Sequence, residues 1–184
     1  EPGANLAPEA PHLLQFAVMG PVYARGILGL DSPRVGLLSV GEEEGKGNEL
    51  TKEAYEQLRE SSLNFVGNVE GHDLFTGKVD VVVMDGFTGN VVLKASETAS
   101  ELLVELIREA VGRGARGALA ALLLRPAIEA VRRRSDPDEI GGAPLIGLRG
   151  CCVIGHGKST ARAIEAGVRT AAAFHASGVN GAIA

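Results

Sequence analysis

The run Val79-Asp-Val-Val-Val-Met84 constrains the fold more than any other stretch of this chain. Its β-branched residues lack the polar–apolar alternation of a half-exposed strand, and such a run requires cover on both faces. It ends in the polar turn Asp85-Gly-Phe-Thr-Gly-Asn90. A helical pattern then runs from Asn90 to about Val111, with Leu102, Leu103, Leu106 and Ile107 on its apolar side. Strand, glycine-rich turn and helix in that order are the unit of a parallel sheet.

The same order recurs on both sides. Arg34 to Val40 reads as a buried strand, followed by Gly41-Glu-Glu-Glu-Gly-Lys-Gly-Asn48 and a helix from Asn48 or Glu49 to about Glu60. Leu63 to Val66 is a short strand. Upstream, Pro11 to about Leu28 is a helix that buries Leu13, Leu14, Phe16, Ala17 and Val18. Downstream, Pro144–Leu148 and Cys151–Ile154 read as a hairpin turning at Arg149-Gly150. The turn Gly155-His-Gly-Lys-Ser-Thr160 follows, and then a last helix starting near Lys158 or Ser159 with an apolar stripe of Ala161, Ile164, Val168 and Ala171. The whole is an α/β chain with a largely parallel sheet and flanking helices, with no internal domain boundary.

Between Gly112 and Arg134 six arginines face one acid, Glu129, a local charge of +5 in a chain whose formal net charge is −5. This glycine-broken segment reads as two short helices meeting at Arg125-Pro126, proline being tolerated in a first helical turn. Its leucines and arginines suit either a surface that meets anionic lipid or an acidic carrier protein, or a dimer-forming helical pair with solvated arginines. The negative overall charge and the aromatic content of 4%, with no Trp, give no support to nucleic-acid binding.

The only two cysteines, Cys151 and Cys152, are adjacent, too few for a structural zinc site and unsuited to a disulfide framework. They read as small core residues in a reducing cytoplasm. No stretch reaches the roughly 20 apolar residues of a membrane-spanning helix. No metal or cofactor is expected.

Three turns carry the candidate chemistry. In open α/β sheets the carboxyl ends of strands border the ligand crevice, and helix N-termini there offer N–H groups to anions. If the three converge, Lys46, Asn48, Asp85, Asn90, Lys94 and His156 are the candidate catalytic groups. Gly45, Gly47, Gly86, Gly89, Gly157 and Ser159 are the candidate phosphate contacts. Each turn also has a plainer reading. Glycines suit tight turns, Asn90 and Ser159 suit helix caps, and three successive glutamates suit solvent. His156 fits a turn as well as a catalytic role, and Lys94 fits a helix surface as well as a crevice. Neither the P-loop pattern nor the G-x-G-x-x-G fingerprint is present.

In combination these segments resemble the PlsX family, the acyl-acyl carrier protein:phosphate acyltransferases. The resemblance is carried by Val35 to Asn48, Phe65-Val-Gly-Asn-Val-Glu-Gly71 and Val81 to Lys94. It extends through Gly141-Gly-Ala-Pro-Leu-Ile-Gly147, His156 to Ala163 and the upstream His12-Leu-Leu-Gln-Phe-Ala17. It implies a fold similar to the isocitrate/isopropylmalate dehydrogenase and phosphotransacetylase group, with residues 112–134 as a protruding helical pair. It further implies a homodimer working near the membrane, with acyl carrier protein and inorganic phosphate as partners. The likeness covers about the latter half of the family pattern. The last turn reads His-Gly-Lys-Ser-Thr where relatives carry His-Gly-Ser-Ser-Asn, which leaves the roles of Lys158 and Thr160 open. In the implied reaction Asp85 orients Lys46 or Lys94, and His156 donates to the leaving sulfur. The rivals are a nucleotide-dependent dehydrogenase on a related scaffold and a non-catalytic interaction module.

Overall fold

The computed structural model describes residues 3–111, 114–134 and 141–183. Its centre is a three-stranded parallel sheet of β1 (Val35–Leu38), β2 (Phe65–Val69) and β3 (Val81–Val83), in the order β2-β1-β3. Helix α1 (Ala10–Leu28) and helix α2 (Glu49–Arg59) pack on each other and on this sheet. Leu13 and Ala17 from α1, Val35 and Leu37 from β1, Ala54 and Leu58 from α2, and Val83 from β3 form the core. Burying each of the leucines contributes about 1.5–3 kcal/mol. At Gly20 helix α1 comes so near β3 that a Cβ would sit 2.5 Å from Val81 Cγ1, so glycine permits the contact.

The sheet is covered unequally. Val35 and Leu37 are fully buried against α1 and α2, whereas Val81 and Val82 are only half-buried and Val66 on β2 is exposed. The valine run is thus a strand, as expected, but not one covered on both faces. Val18 of α1 is also exposed, because it faces away from the sheet that buries Leu13 and Ala17. The second strand lies two residues later than expected, and Leu63 packs on the core from the connection before it.

Helix α3 (Gly86–Val111) begins four residues earlier than its apolar pattern, because Gly86 to Asn90 already take helical form behind Asp85. Helix α4 (Ala115–Arg134) is continuous through Pro126 rather than two helices meeting there. Proline removes one N–H and its bond, and the remaining turns carry the helix across the gap. The two helices pack chiefly on each other. Leu102, Leu103 and Leu106, expected on a buried side, are exposed, as are Leu119, Leu122, Leu123 and Leu124. Of the basic segment, Arg113 and the side chains of Arg116 and Arg132 to Arg134 lie outside the described residues. Arg125 pairs with Glu129 one turn away, at 2.9 Å.

The hairpin is real but smaller: β4 (Ala143–Pro144) pairs antiparallel with β5 (Val153–Ile154). Helix α5 (Ala161–Ala176) packs on it, and a short helix α6 (Val179–Ile183) joins α5 to α1. Phe174 of α5 meets Tyr23 of α1 with ring centroids 6.3 Å apart. The face of α5 that is buried carries Ala163, Ala166 and Phe174. The expected stripe lies elsewhere: Ile164 is 61% and Val168 65% exposed, lining an open groove of 360 Å³ with Gly141, Val153, Gly155 and Ser159. The cysteines are not core residues either. Cys151 is exposed at the turn, its thiol 3.5 Å from the Ala171 carbonyl, and Cys152 is half-buried.

Candidate anion site at the carboxyl edge of the sheet

Parallel pairing decides which turns can meet. Leu37 of β1 stands beside Val83 of β3, so the loops after both strands leave the sheet on the same edge from adjacent strands. Adjacent strands lie about 4.8 Å apart. The turn Gly41–Asn48 and the turn Asp85–Asn90 therefore share one rim, joined by the segment after β2, whose Val69 pairs with Leu38. The third turn, Gly155–Thr160, belongs to the separate β4–β5 hairpin, where Gly155 adjoins Ser159 and Gly141. None of the described hydrogen bonds joins it to the other two.

In the first turn the Glu43 carbonyl accepts the Lys46 N–H at 3.0 Å, closing a tight bend. Gly47 follows with φ +110°, a conformation that favours glycine, and a Cβ there would lie 2.1 Å from Thr51 Oγ1. Asn48 caps α2: its Oδ1 accepts the Thr51 N–H at 2.9 Å and the Thr51 hydroxyl at 3.1 Å. Two of the three glutamates carry side-chain ion pairs, and the third is tied through its backbone. Glu42 pairs with Lys78 at 2.5 Å, Glu44 pairs with Arg59 at 2.5 Å, and the Glu43 carbonyl also accepts Asn68 Nδ2 at 2.9 Å. No carboxylate of the described residues lies within ion-pair distance of Lys46, so its ammonium is available to an anion. Ser39 Oγ and Asn68 Oδ1 at this edge are buried without a hydrogen-bond partner among the described residues.

The second turn is more self-contained than its sequence suggests. Asp85 neither orients Lys46 nor Lys94; its carboxylate accepts the Thr88 N–H at 2.8 Å and the Thr88 hydroxyl at 2.6 Å. It thereby caps the start of α3, the place expected for Asn90, which sits inside the helix. The Gly86 N–H donates to the Asn5 carbonyl and the Gly89 N–H to the Asp85 carbonyl, both at 2.9 Å. Gly86 and Gly89 are buried, so they let the chain pass closely rather than offer those N–H groups to a ligand. Asn90 is half-buried and Lys94, one turn on, is exposed.

In the third turn Thr160, not Ser159, caps the helix, its Oγ1 accepting the Ala163 N–H at 3.2 Å. Ser159 instead donates its N–H to the His156 carbonyl at 2.9 Å and lines the open groove. His156 Nδ1 accepts the Lys158 N–H at 3.3 Å. In a neutral ring the proton therefore sits on Nε2, and the residue is exposed. Gly157 is exposed beside it.

Several residues at the edge gave no signal of their own in the sequence. Asp73 is 3% exposed, and its carboxyl is held below its ordinary value, first by the Glu70 N–H and then by Lys78. Lys78 is held above its ordinary value, mainly by Glu42. Glu42, His72 and Asp73 bring ligand atoms within 4.8 Å of one another, a spacing that suits a metal ion. The Lys78 ammonium, 2.5 Å from Glu42 and 3.3 Å from Asp73, already stands as the cation between two of them. Val40 on the loop after β1, Phe75 after β2 and Phe87 in the first turn of α3 are all strongly exposed apolar side chains near this edge.

A parallel sheet flanked by helices, with glycine-rich turns leaving its carboxyl edge, defines an α/β protein, and in such proteins that edge borders the ligand crevice. Sequence comparison narrows the class: residues 1–181 match the fatty acid synthesis protein family, and the chain belongs to it. Among its relatives, the phosphate acyltransferase of Acidobacterium capsulatum is 53% identical over 97% of this chain and 53% of its own length. That of Aquifex aeolicus is 50% identical over 94% of this chain and 51% of its own. That of Campylobacter hominis is 45% identical over 98% and 54%. The chain thus spans about half the length of the curated relatives it matches.

Proposed function

We propose that this chain forms part of an acyltransferase that moves a fatty acyl group from acyl carrier protein to inorganic phosphate, yielding an acyl phosphate for phospholipid synthesis. The observation that carries the reading is Lys46: an ammonium with no carboxylate partner among the described residues, beside a helix start, on the rim where two loops leave adjacent strands. The names of the relatives point to the same chemistry.

Phosphate is anionic near neutral pH, so the site has little need of a base. It has to hold the nucleophile against the thioester and stabilise the oxyanion that forms. A phosphate oxygen adds to the carbonyl carbon, the tetrahedral intermediate collapses, and the carbon–sulfur bond breaks to release acyl phosphate and the carrier thiolate. A thiol of ordinary pKa near 8.5 is a tolerable leaving group. Lys46 and the N–H groups beside Asn48 would hold phosphate, with Gly45 and Gly47 letting the backbone approach. Asn90 and Lys94 would face the same rim from α3, whereas His156, Ser159 and Gly157 stand on the separate β4–β5 hairpin and take no part in holding this phosphate. The exposed Val40, Phe75 and Phe87 support an apolar substrate at this edge. Among the described helices none is long and apolar enough to cross a membrane. The exposed leucines of α3 and α4 support a covering surface there, a second copy of the chain or the membrane face.

The test is release of free carrier thiol from acyl-acyl carrier protein as phosphate is titrated, with hydroxylamine trapping of the acyl phosphate. Weak phosphate-dependent release, or none, is expected from these 184 residues, which span about half the length of their relatives. Release that ignores phosphate contradicts the reading and favours a non-catalytic interaction role.

A further inference from the structure

The turn that presents Lys46 is held from outside itself by one buried side chain. Asn68, on β2, is 4% exposed, and its Nδ2 donates to the Glu43 carbonyl at 2.9 Å. That carbonyl is the same atom that accepts the Lys46 N–H at 3.0 Å. One oxygen therefore closes the bend and fastens it to the end of β2. The neighbouring tethers, Glu42 to Lys78 and Glu44 to Arg59, join side chains that are about half exposed, and such pairs contribute little.

Asn68 is also poorly explained by packing. Its Oδ1 is buried without a partner among the described residues, and an unmet buried acceptor destabilises the fold. An apolar residue at this position would avoid that cost and lose only the tether.

We infer that Asn68 is a positioning residue for the anion site: through the Glu43 carbonyl it fixes where Lys46 stands. This rests on the reading of Lys46 as a phosphate contact. It acts on the loop and not on the phosphate, so its effect disappears when Lys46 is gone.

The experiment titrates inorganic phosphate into the chain by calorimetry, and follows hydrogen exchange of the Lys46 N–H, in four forms: unaltered, Asn68→Ala, Lys46→Ala and the double variant. Asn68→Ala is expected to weaken phosphate binding roughly tenfold. It should speed exchange at Lys46 and leave the melting temperature without phosphate within a few degrees. In the Lys46→Ala background it should change affinity no further, the signature of two residues acting as a unit. Unchanged affinity and unchanged exchange in Asn68→Ala overturn the inference, as does an equal loss with and without Lys46. Should Asn68→Ala fail to fold, Asn68→Ser, whose hydroxyl is too short to reach the Glu43 carbonyl, gives the same readings. If the unaltered chain and Lys46→Ala bind phosphate alike, the functional reading fails, while exchange at Lys46 still reports whether Asn68 holds the loop.

Discussion

The two ends of one small sheet are finished in opposite ways. At the amino end Arg34 and Asp80, the residues just before β1 and β3, are locked together. Arg34 Nε and Nη2 donate to the two carboxylate oxygens at 2.9 and 3.0 Å, and the Arg34 N–H donates to Oδ2 at 2.8 Å. Nη2 also reaches the Gly77 carbonyl at 2.7 Å, and the Arg34 carbonyl takes the N–H groups of Asp80 and Val81. Both charges are met, and the Asp80 carboxyl falls to about 2, chiefly because Arg34 holds its charged form. At the carboxyl end Lys46 has no carboxylate partner among the described residues, nor have the buried oxygens of Ser39 and Asn68 a hydrogen-bond partner there. Saturated polar groups make a structural lock; buried polar groups left unmet by protein are open to water or to a ligand. The comparison teaches which end to mutate for stability and which for chemistry.

The sharpest separation is expected from Lys46→Ala. A hydrogen bond to a charged group contributes about 1.5–3 kcal/mol, so phosphate affinity should fall roughly tenfold to a hundredfold. Calorimetric titration reads this, and the melting temperature should hardly move. Asp80→Ala should do the reverse, lowering the melting temperature by several degrees while phosphate affinity stays put. A fall in both would show that the two ends are not separable.

Asn48→Ala sits on the boundary. Losing the cap of α2 should cost about 1 kcal/mol in denaturant unfolding and weaken phosphate binding together, because the cap orders the helix start that faces the anion. Acid gives the smallest effect. With a folded pKa of about 2, below its usual 3.8, Asp80 contributes stability that is complete above the ordinary carboxylate range and fades as pH falls through its folded value. Melting curves of the unaltered chain and Asp80→Asn should therefore differ fully at about pH 6 and converge near pH 2. A gap that persists in acid would deny the lock its charge.

Much of this was legible in the sequence wherever the cause is local. The valine run, the periodicity of α1 and α2 and the glycine turns after β1 and β3 all stand close to where residue patterns put them. The mismatches share a cause, namely contacts that no local pattern encodes. Asp85 was read toward lysines across the crevice, but its short side chain finds Thr88 three residues on. The stripe of Ile164 and Val168 is a genuine helical face, yet periodicity states which side is apolar and not whether anything covers it. The Asn68–Glu43 bond joins residues 25 apart in sequence, and appears only when β2 lies beside β1. Pro126 shows that a local breaker can be carried by the turns around it.

The account rests on the carboxyl edge being the anion site. The most direct test is a nuclear magnetic resonance titration of the isotopically labelled chain with inorganic phosphate, following every backbone amide. Saturable shifts centred on Gly45 to Glu49, with smaller ones around Phe87 and none at Arg34 or Asp80, are the predicted result. Shifts confined to other surfaces, or no saturable shift at all, would contradict it.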